Sequence, residues 1–137
     1  MSAETAEFPL PRRDALNTPY WQSLEEGHLS FQRCGECGKA WLPPRRECPH
    51  CLSPEWRWER AGGQARLVSW VVYHIAYHAA FKDRLPYTVA VVELAEGPRL
   101  ISNIVGAGDP EVLRIDQDLR LAIEHEHGVA VPRFRPA

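Results

Sequence analysis

Four cysteines fall within eighteen positions, as Cys34-Gly35-Glu36-Cys37, ten intervening residues, and Cys48-Pro49-His50-Cys51, with no cysteine left over. A two-residue gap lets both thiolates of a tight turn point at one metal while backbone N–H groups donate to sulfur, and two such turns complete a tetrahedral four-sulfur site. Gly35, Gly38 and Pro49 suit those turns. Zinc is the expected metal; iron takes the same ligands, but in an iron site of this kind a longer spacer is expected. A pair of disulfides would use the same residues, yet the repeated C-x2-C and the lack of a secretory pattern in residues 1–11 favour a metal. Four thiolates leave no position open for water or substrate, so the site is read as structural and not catalytic.

Other residues that could do chemistry carry weaker patterns. His74 and His78 have helical ligand spacing, but they fall at a strand end and loop and lack the Glu of an H-E-x-x-H motif. His125 and His127 share a strand face with Glu124 and Glu126 close by, which reads first as a solvated strand end. Gly106-Ala107-Gly108 follows a strand but meets Asp109-Pro110, so it does not open a nucleotide-binding helix, and neither a P-loop nor a nucleophile elbow is present. With every cysteine assigned to the metal, covalent catalysis has no support, and no activity is expected of this chain alone.

The elements that must position the cysteines are short. Residues 30–33, 39–42 and 55–60 read as strands running into and out of two turns, a zinc ribbon, with Trp41, Trp56 and Trp58 available to cover the sulfurs. Trp56 and Trp58 share a strand face, read as packing in preference to a stacking platform. Before the ribbon, Thr18-Pro19 looks like an N-cap followed by Pro at the first helical position, with Tyr20, Trp21 and Leu24 on one side and Gly27 ending the helix. Residues 1–17 read as an extended arm, mobile or lying on a partner. After Gly62-Gly63, five strands are expected at 65–73, 87–94, 100–105, 119–125 and 131–134, with a helical turn at 110–113. The long, aromatic connection 74–86 and the brief late helix suit a small closed barrel of the OB type, whose loops at one end commonly bind ligands. The expected fold is therefore mainly β: an arm and short helix over 1–28, a rubredoxin-like ribbon over 29–61 and a five-stranded OB-fold barrel over 62–137.

Composition bounds the function. A chain of 137 residues with 12 prolines and 9 glycines can bury one modest, turn-rich core. No apolar run approaches the roughly 18 residues of a membrane span, and the cytoplasm is the expected location. A net charge of -2 weighs against a nucleic-acid partner. The alternative of single-stranded nucleic-acid binding rests on Arg45, Arg46, Arg57, Arg60 and Arg66 near two tryptophans.

These residues resemble the DUF35 family of zinc-ribbon plus OB-fold accessory subunits from Pro19 onward. The marks are Tyr20-Trp21, the run from Leu29 to Cys34, Pro43-Pro44-Arg45 before the second cysteine pair, the run from Pro86 to Leu94 with Gly97, Ser102-Asn103, and Pro132-Arg133-Phe134. One departure is Ile115-Asp116-Gln117-Asp118, where such proteins often have a glycine. The resemblance implies a hetero-oligomeric subunit of an acyl-CoA thiolase or acyltransferase complex, similar to the benzylsuccinyl-CoA thiolase small subunit. The resemblance further implies that such a subunit stabilises a thiolase-fold catalytic partner and helps hold coenzyme A substrates. Coenzyme A needs cations for its phosphates, an aromatic surface for adenine and a slot for its pantetheine arm, and Tyr77, Phe81, Lys82, Arg84 and Tyr87 are the candidates in the long connection.

Overall fold

A computed structural model describes residues 7–137; residues 1–6 of the expected arm lie outside the described residues. The described residues form helix α1 (Thr18–Glu25) and eight strands: β1 (Ser30–Cys34), β2 (Ala40–Trp41), β3 (Trp56–Arg60), β4 (Gln64–Tyr73), β5 (Tyr87–Leu94), β6 (Arg99–Ser102), β7 (Asp118–Glu126) and β8 (Val129–Pro136). Two 3-10 helices, Ala79–Arg84 and Pro110–Val112, interrupt the connections. No helix of the described residues is long and apolar enough to cross a membrane.

Helix α1 begins one residue earlier than Thr18-Pro19 suggests, because Asn17 is the N-cap and forms reciprocal hydrogen bonds with Asp14. The Thr18 hydroxyl instead donates back to the Asp14 carbonyl at 2.5 Å. Tyr20, Ser23 and Leu24 recur at helical spacing and are buried. Gly27, at φ +97°, ends the helix in the left-handed region that suits glycine.

Strand β1 is the centre of a three-stranded antiparallel sheet, order β2-β1-β3. It serves two masters: Phe31 joins the main core while Cys34 faces the other cysteines. Between them the fully buried Gln32 amide donates to the Arg45 carbonyl and accepts from the Arg45 N–H, both at 2.8 Å. That two-ended bond satisfies a buried polar side chain and pins the segment leading to the second cysteine pair.

The second sheet runs β6-β5-β4-β7-β8. Along β5, Thr88, Ala90, Val92 and Leu94 point inward in strict alternation. A register shift between Leu67 and Ser69 bends β4, so the sheet curls. The result is the OB type of fold expected, with the five-stranded sheet curled into a half-barrel. Strand β6 stops at Ser102, and its continuation crosses to β8 through a single parallel bridge, Ile104 to Phe134. Side chains supply what a ladder would: the Asn103 amide donates to the Thr88 carbonyl, the Ile104 N–H donates to Thr88 Oγ1 at 3.0 Å, and the Ser102 hydroxyl donates to the Pro132 carbonyl at 2.7 Å. Where a family glycine is missing, Asp116 takes the left-handed conformation at φ +63°, tolerable for Asp, and its N–H donates to Leu67.

One buried cluster unites these layers. Tyr20 and Leu24 of α1, Leu29 and Phe31 of the ribbon arm, and Leu67, Val92, Leu94, Leu119 and Phe134 of the barrel belong to it. The core therefore runs across residues 28/29 and 61/62.

Candidate functional site

The two cysteine turns are built alike. Cys34 Sγ accepts N–H bonds from Glu36 and Cys37 at 3.3 and 3.4 Å, and Cys48 Sγ accepts from His50 and Cys51, both at 3.4 Å. In each pair the first cysteine is buried and the second exposed. Gly35 lets the first turn approach closely, since its N–H donates to the Glu55 carbonyl at 2.7 Å and an added Cβ would lie a tight 3.3 Å from that oxygen.

All four sulfurs lie within 4.8 Å of one another, with Cys34 to Cys51 at 3.5 Å and Cys37 to Cys48 at 3.6 Å. Disulfide sulfurs would be about 2 Å apart, whereas tetrahedral zinc with Zn–S near 2.3 Å sets sulfurs about 3.8 Å apart. Charge gives a second test of fit. The N–H groups of Cys37 and then Glu36 draw the Cys34 thiol down to about 6. Cys51 goes the other way: the Ser53 N–H lowers it, but desolvation and the three neighbouring cysteines prevail and push it up to about 12. Four adjacent thiolates need a cation to ionise together, and the donor set suits a soft divalent ion. Trp41 and Trp56 pack at this cluster, while Trp58 packs against the main core. The Trp56 and Trp58 rings meet edge-on at 89°, and Trp56 Nε1 donates to the Arg46 carbonyl at 2.8 Å, so the pair is packed and not a parallel platform.

At the loop end of the barrel, the five sequence candidates separate. Phe81, Arg84 and Tyr87 come together, with the Phe81 and Tyr87 rings 5.8 Å apart. Tyr77 is 83% exposed, with its ring edge-on to Tyr73, and Lys82 is exposed on the 3-10 helix. Among the described residues, His74 and His78 belong to no group of three or more metal-ligating side chains; His78 Nδ1 caps that helix by accepting from the Ala80 N–H.

In this region Phe8 escaped the sequence reading, and Glu126, His127 and Arg133, noted there as part of a strand end or of the family resemblance, join it in one cluster. Glu126 binds both Arg84 at 2.9 Å and Arg133 at 2.6 Å. Phe8 from the arm stacks on His127 at 4.0 Å and 17°, with the Arg84 guanidinium 4.8 Å from its ring centre. His127 sits in the β7–β8 turn at φ +49° and not on a strand face shared with His125. The Glu124-His125-Glu126 alternation facing Arg133 was the available signal for the ion cluster; nothing local marked Phe8.

Two concavities adjoin. A polar cavity of about 360 Å³ is bordered by Arg84, Glu124, Glu126 and Arg133. A larger apolar groove of about 800 Å³ lies between Tyr20 and Trp21 of α1, Leu42-Pro43-Pro44 of the ribbon, and the barrel strands. Phe81, Tyr87 and Arg133 border both. Burial pushes the Tyr20 hydroxyl up to about 12, so that wall stays neutral. The volume is within the range of small-molecule sites.

The arginine set of the nucleic-acid alternative is partly neutralised. Arg57 pairs with Glu59 at 2.7 Å, and Arg66 pairs with Glu93 at 2.6 Å and Asp116 at 3.2 Å. Phosphates would have to displace these carboxylates.

A helix, a four-cysteine ribbon and an OB-like half-barrel sharing one core define a zinc-ribbon plus OB-fold protein. Two family models match in succession: the ChsH2 rubredoxin-like zinc ribbon domain over residues 21–57 and the ChsH2 C-terminal OB-fold domain over residues 58–124. The chain belongs to the DUF35 family, of the ChsH2 type. It is 33% identical over 122 residues to a DUF35 domain-containing scaffold protein of Methanothermobacter thermautotrophicus, covering 84% of this chain and 90% of that one. It is 36% identical over 130 residues to a probable enoyl-CoA hydratase alpha subunit of Thermomonospora curvata, covering 94% of this chain but 40% of the relative's length. Among solved structures it resembles a chain of the Ltp2-ChsH2(DUF35) aldolase, with TM-score 0.80 and 34% identity over 93% of this chain and 98% of that chain.

Proposed function

We propose that this chain is a non-catalytic, zinc-bearing scaffold subunit in the cytoplasm. It docks a thiolase-like, acyl-CoA-processing partner and helps hold the coenzyme A part of its substrate. The observation that carries this reading is likeness over nearly the whole length to a chain of the Ltp2-ChsH2(DUF35) aldolase. The name of the Thermomonospora curvata relative supports an acyl-CoA context.

In this reading Cys34, Cys37, Cys48 and Cys51 hold one structural zinc, closed to water, which fixes the ribbon wall of the groove. Phe81 and Tyr87 border the apolar groove, which would take the pantetheine arm. Tyr77 and Lys82, exposed nearby, offer a ring for adenine and a cation for phosphate. Arg84 is engaged by Glu126, so its part is to anchor the connection as well as to face the ligand.

The test is purification from the native host with elemental analysis, followed by turnover of the co-purifying acyl-CoA enzyme with and without this chain. One zinc per chain and loss of turnover without it are expected. The reading fails if no acyl-CoA enzyme accompanies the chain and adding it changes no such enzyme's rate.

A further inference from the structure

The outer face of β4, β5 and β6 carries an apolar patch. Val71 lies opposite Val89 and Val91 opposite Ile101 in register, so these four side chains form a staggered row across β4, β5 and β6 on the side away from the core. Val71 is 55% and Ile101 72% exposed, and the patch continues past the paired Tyr73 and Tyr87 to Ile75, 63% exposed, and Tyr77. At its far end Glu93 is held between Arg66 at 2.6 Å and Arg99 at 3.0 Å, which closes the apolar surface with a neutralised rim. Apolar centre and polar rim are the anatomy of a protein interface.

The occupant follows from size and continuity. Four strand side chains, of which Val71 is 55% and Ile101 72% exposed, fall short by themselves of the ~800 Å² per partner of a standard interface. Two copies closed on this face alone would fall short and leave the adjoining groove of about 800 Å³ unfilled. Tyr73, Tyr87, Val89 and Ile101 belong to both the face and the groove, so one larger body can cover both. Residues 1–6, Met-Ser-Ala-Glu-Thr-Ala, carry a single large apolar side chain and cannot serve as that cover. We propose that the β4–β5–β6 face and the groove beside it are one docking surface for the catalytic subunit, whose complementary element is an apolar ridge entering between α1 and β6. This rests on the scaffold function proposed above.

The test uses the full chain and the acyl-CoA enzyme that co-purifies with it. Benzoylphenylalanine is placed at Ile101 and, as a control, at Leu52, an exposed residue of the ribbon. Affinity is measured for Ile101→Glu, Val89→Glu and Leu52→Glu chains, with zinc content and circular dichroism confirming that each is folded. The expected result is a covalent adduct with the enzyme from Ile101 only, affinity about tenfold or more weaker for the two face variants, and less than about twofold change for Leu52→Glu. Unchanged affinity in folded face variants overturns the surface and leaves the scaffold function standing. An adduct between two copies of this chain, with a dimer mass lost in Ile101→Glu, assigns the face to self-association and overturns it too. If no acyl-CoA enzyme binds the wild-type chain, both readings fall together.

Discussion

The metal ribbon and the loop end of the barrel are held by opposite means. At the ribbon, eighteen consecutive residues gather four sulfurs, and backbone N–H groups two or three residues away orient them. At the loop end, contacts come from far apart in sequence: Phe8 meets His127, and Arg84 meets Glu126, 42 residues away. The first arrangement depends on a bound ion and little on its surroundings. The second exists only once the arm, the 3-10 helix and the β7–β8 hairpin have all docked. A metal-closed site suits a fixed platform, whereas half-exposed rings and ion pairs can rearrange when a ligand or partner arrives.

The sharpest way to break this contrast is to remove the ion. Cys48→Ser takes away one fully buried ligand, and zinc loss is expected, measured by elemental analysis. Because Leu29 and Phe31 belong to the same core as the barrel, the damage should spread: a stability loss of several kcal/mol is expected in urea, with the far-UV signal of the barrel retained at low denaturant. A fully native melting curve in a zinc-free variant would show that the ribbon contributes nothing to that core.

Next in size is Glu126→Gln. Arg133 keeps only 15% of its side-chain exposure and would be left with Glu124 at 3.7 Å, so roughly 1–3 kcal/mol of stability should be lost, read from urea unfolding. Phe8→Ala should cost less, about 1 kcal/mol, since it removes one stacked ring and one cation–π contact from a half-exposed site. Its sharper readout is proteolysis at Arg12 and Arg13, faster in the variant if the arm is held down by Phe8. Equal cleavage rates would mean that the Arg13–Glu25 pair and the Asp14–Asn17 bonds suffice.

This asymmetry explains what could be read in advance. The ribbon was legible because its chemistry is local: ligand type, two-residue gaps and turn residues all sit in one window. Strand β5 was legible because alternation needs no knowledge of its neighbours. The manner of barrel closure was not, because it depends on where β6 breaks, and that is decided by Thr88, Ser102 and Asn103 bonding across strands. The loop-end cluster was half legible. Phe81, Arg84 and Tyr87 could be named as candidates from their own segment, but the carboxylate that occupies Arg84 lies in another hairpin, and the ring over it comes from an arm without periodicity.

Within the ribbon the two turns are not equal, and the smallest expected effect tests the difference. The residue after Cys37 is Gly38, at φ +78°; its counterpart after Cys51 is Leu52, at φ +67°. A left-handed conformation costs a non-glycine residue roughly 1–2 kcal/mol, and glycine gives back part of that through its freer unfolded chain. Leu52 is 73% exposed, so shortening it forfeits little burial within this chain. Leu52→Gly should therefore stabilise the metal-bound ribbon by about 0.5 kcal/mol, seen as slower zinc release to a chelator. The reciprocal Gly38→Leu meets no atom within 4 Å of the new Cβ, so its cost isolates the backbone term from any clash at that position. If Leu52→Gly releases zinc no more slowly than the wild-type chain, the left-handed leucine carries no cost at this turn and the two turns are equal in stability.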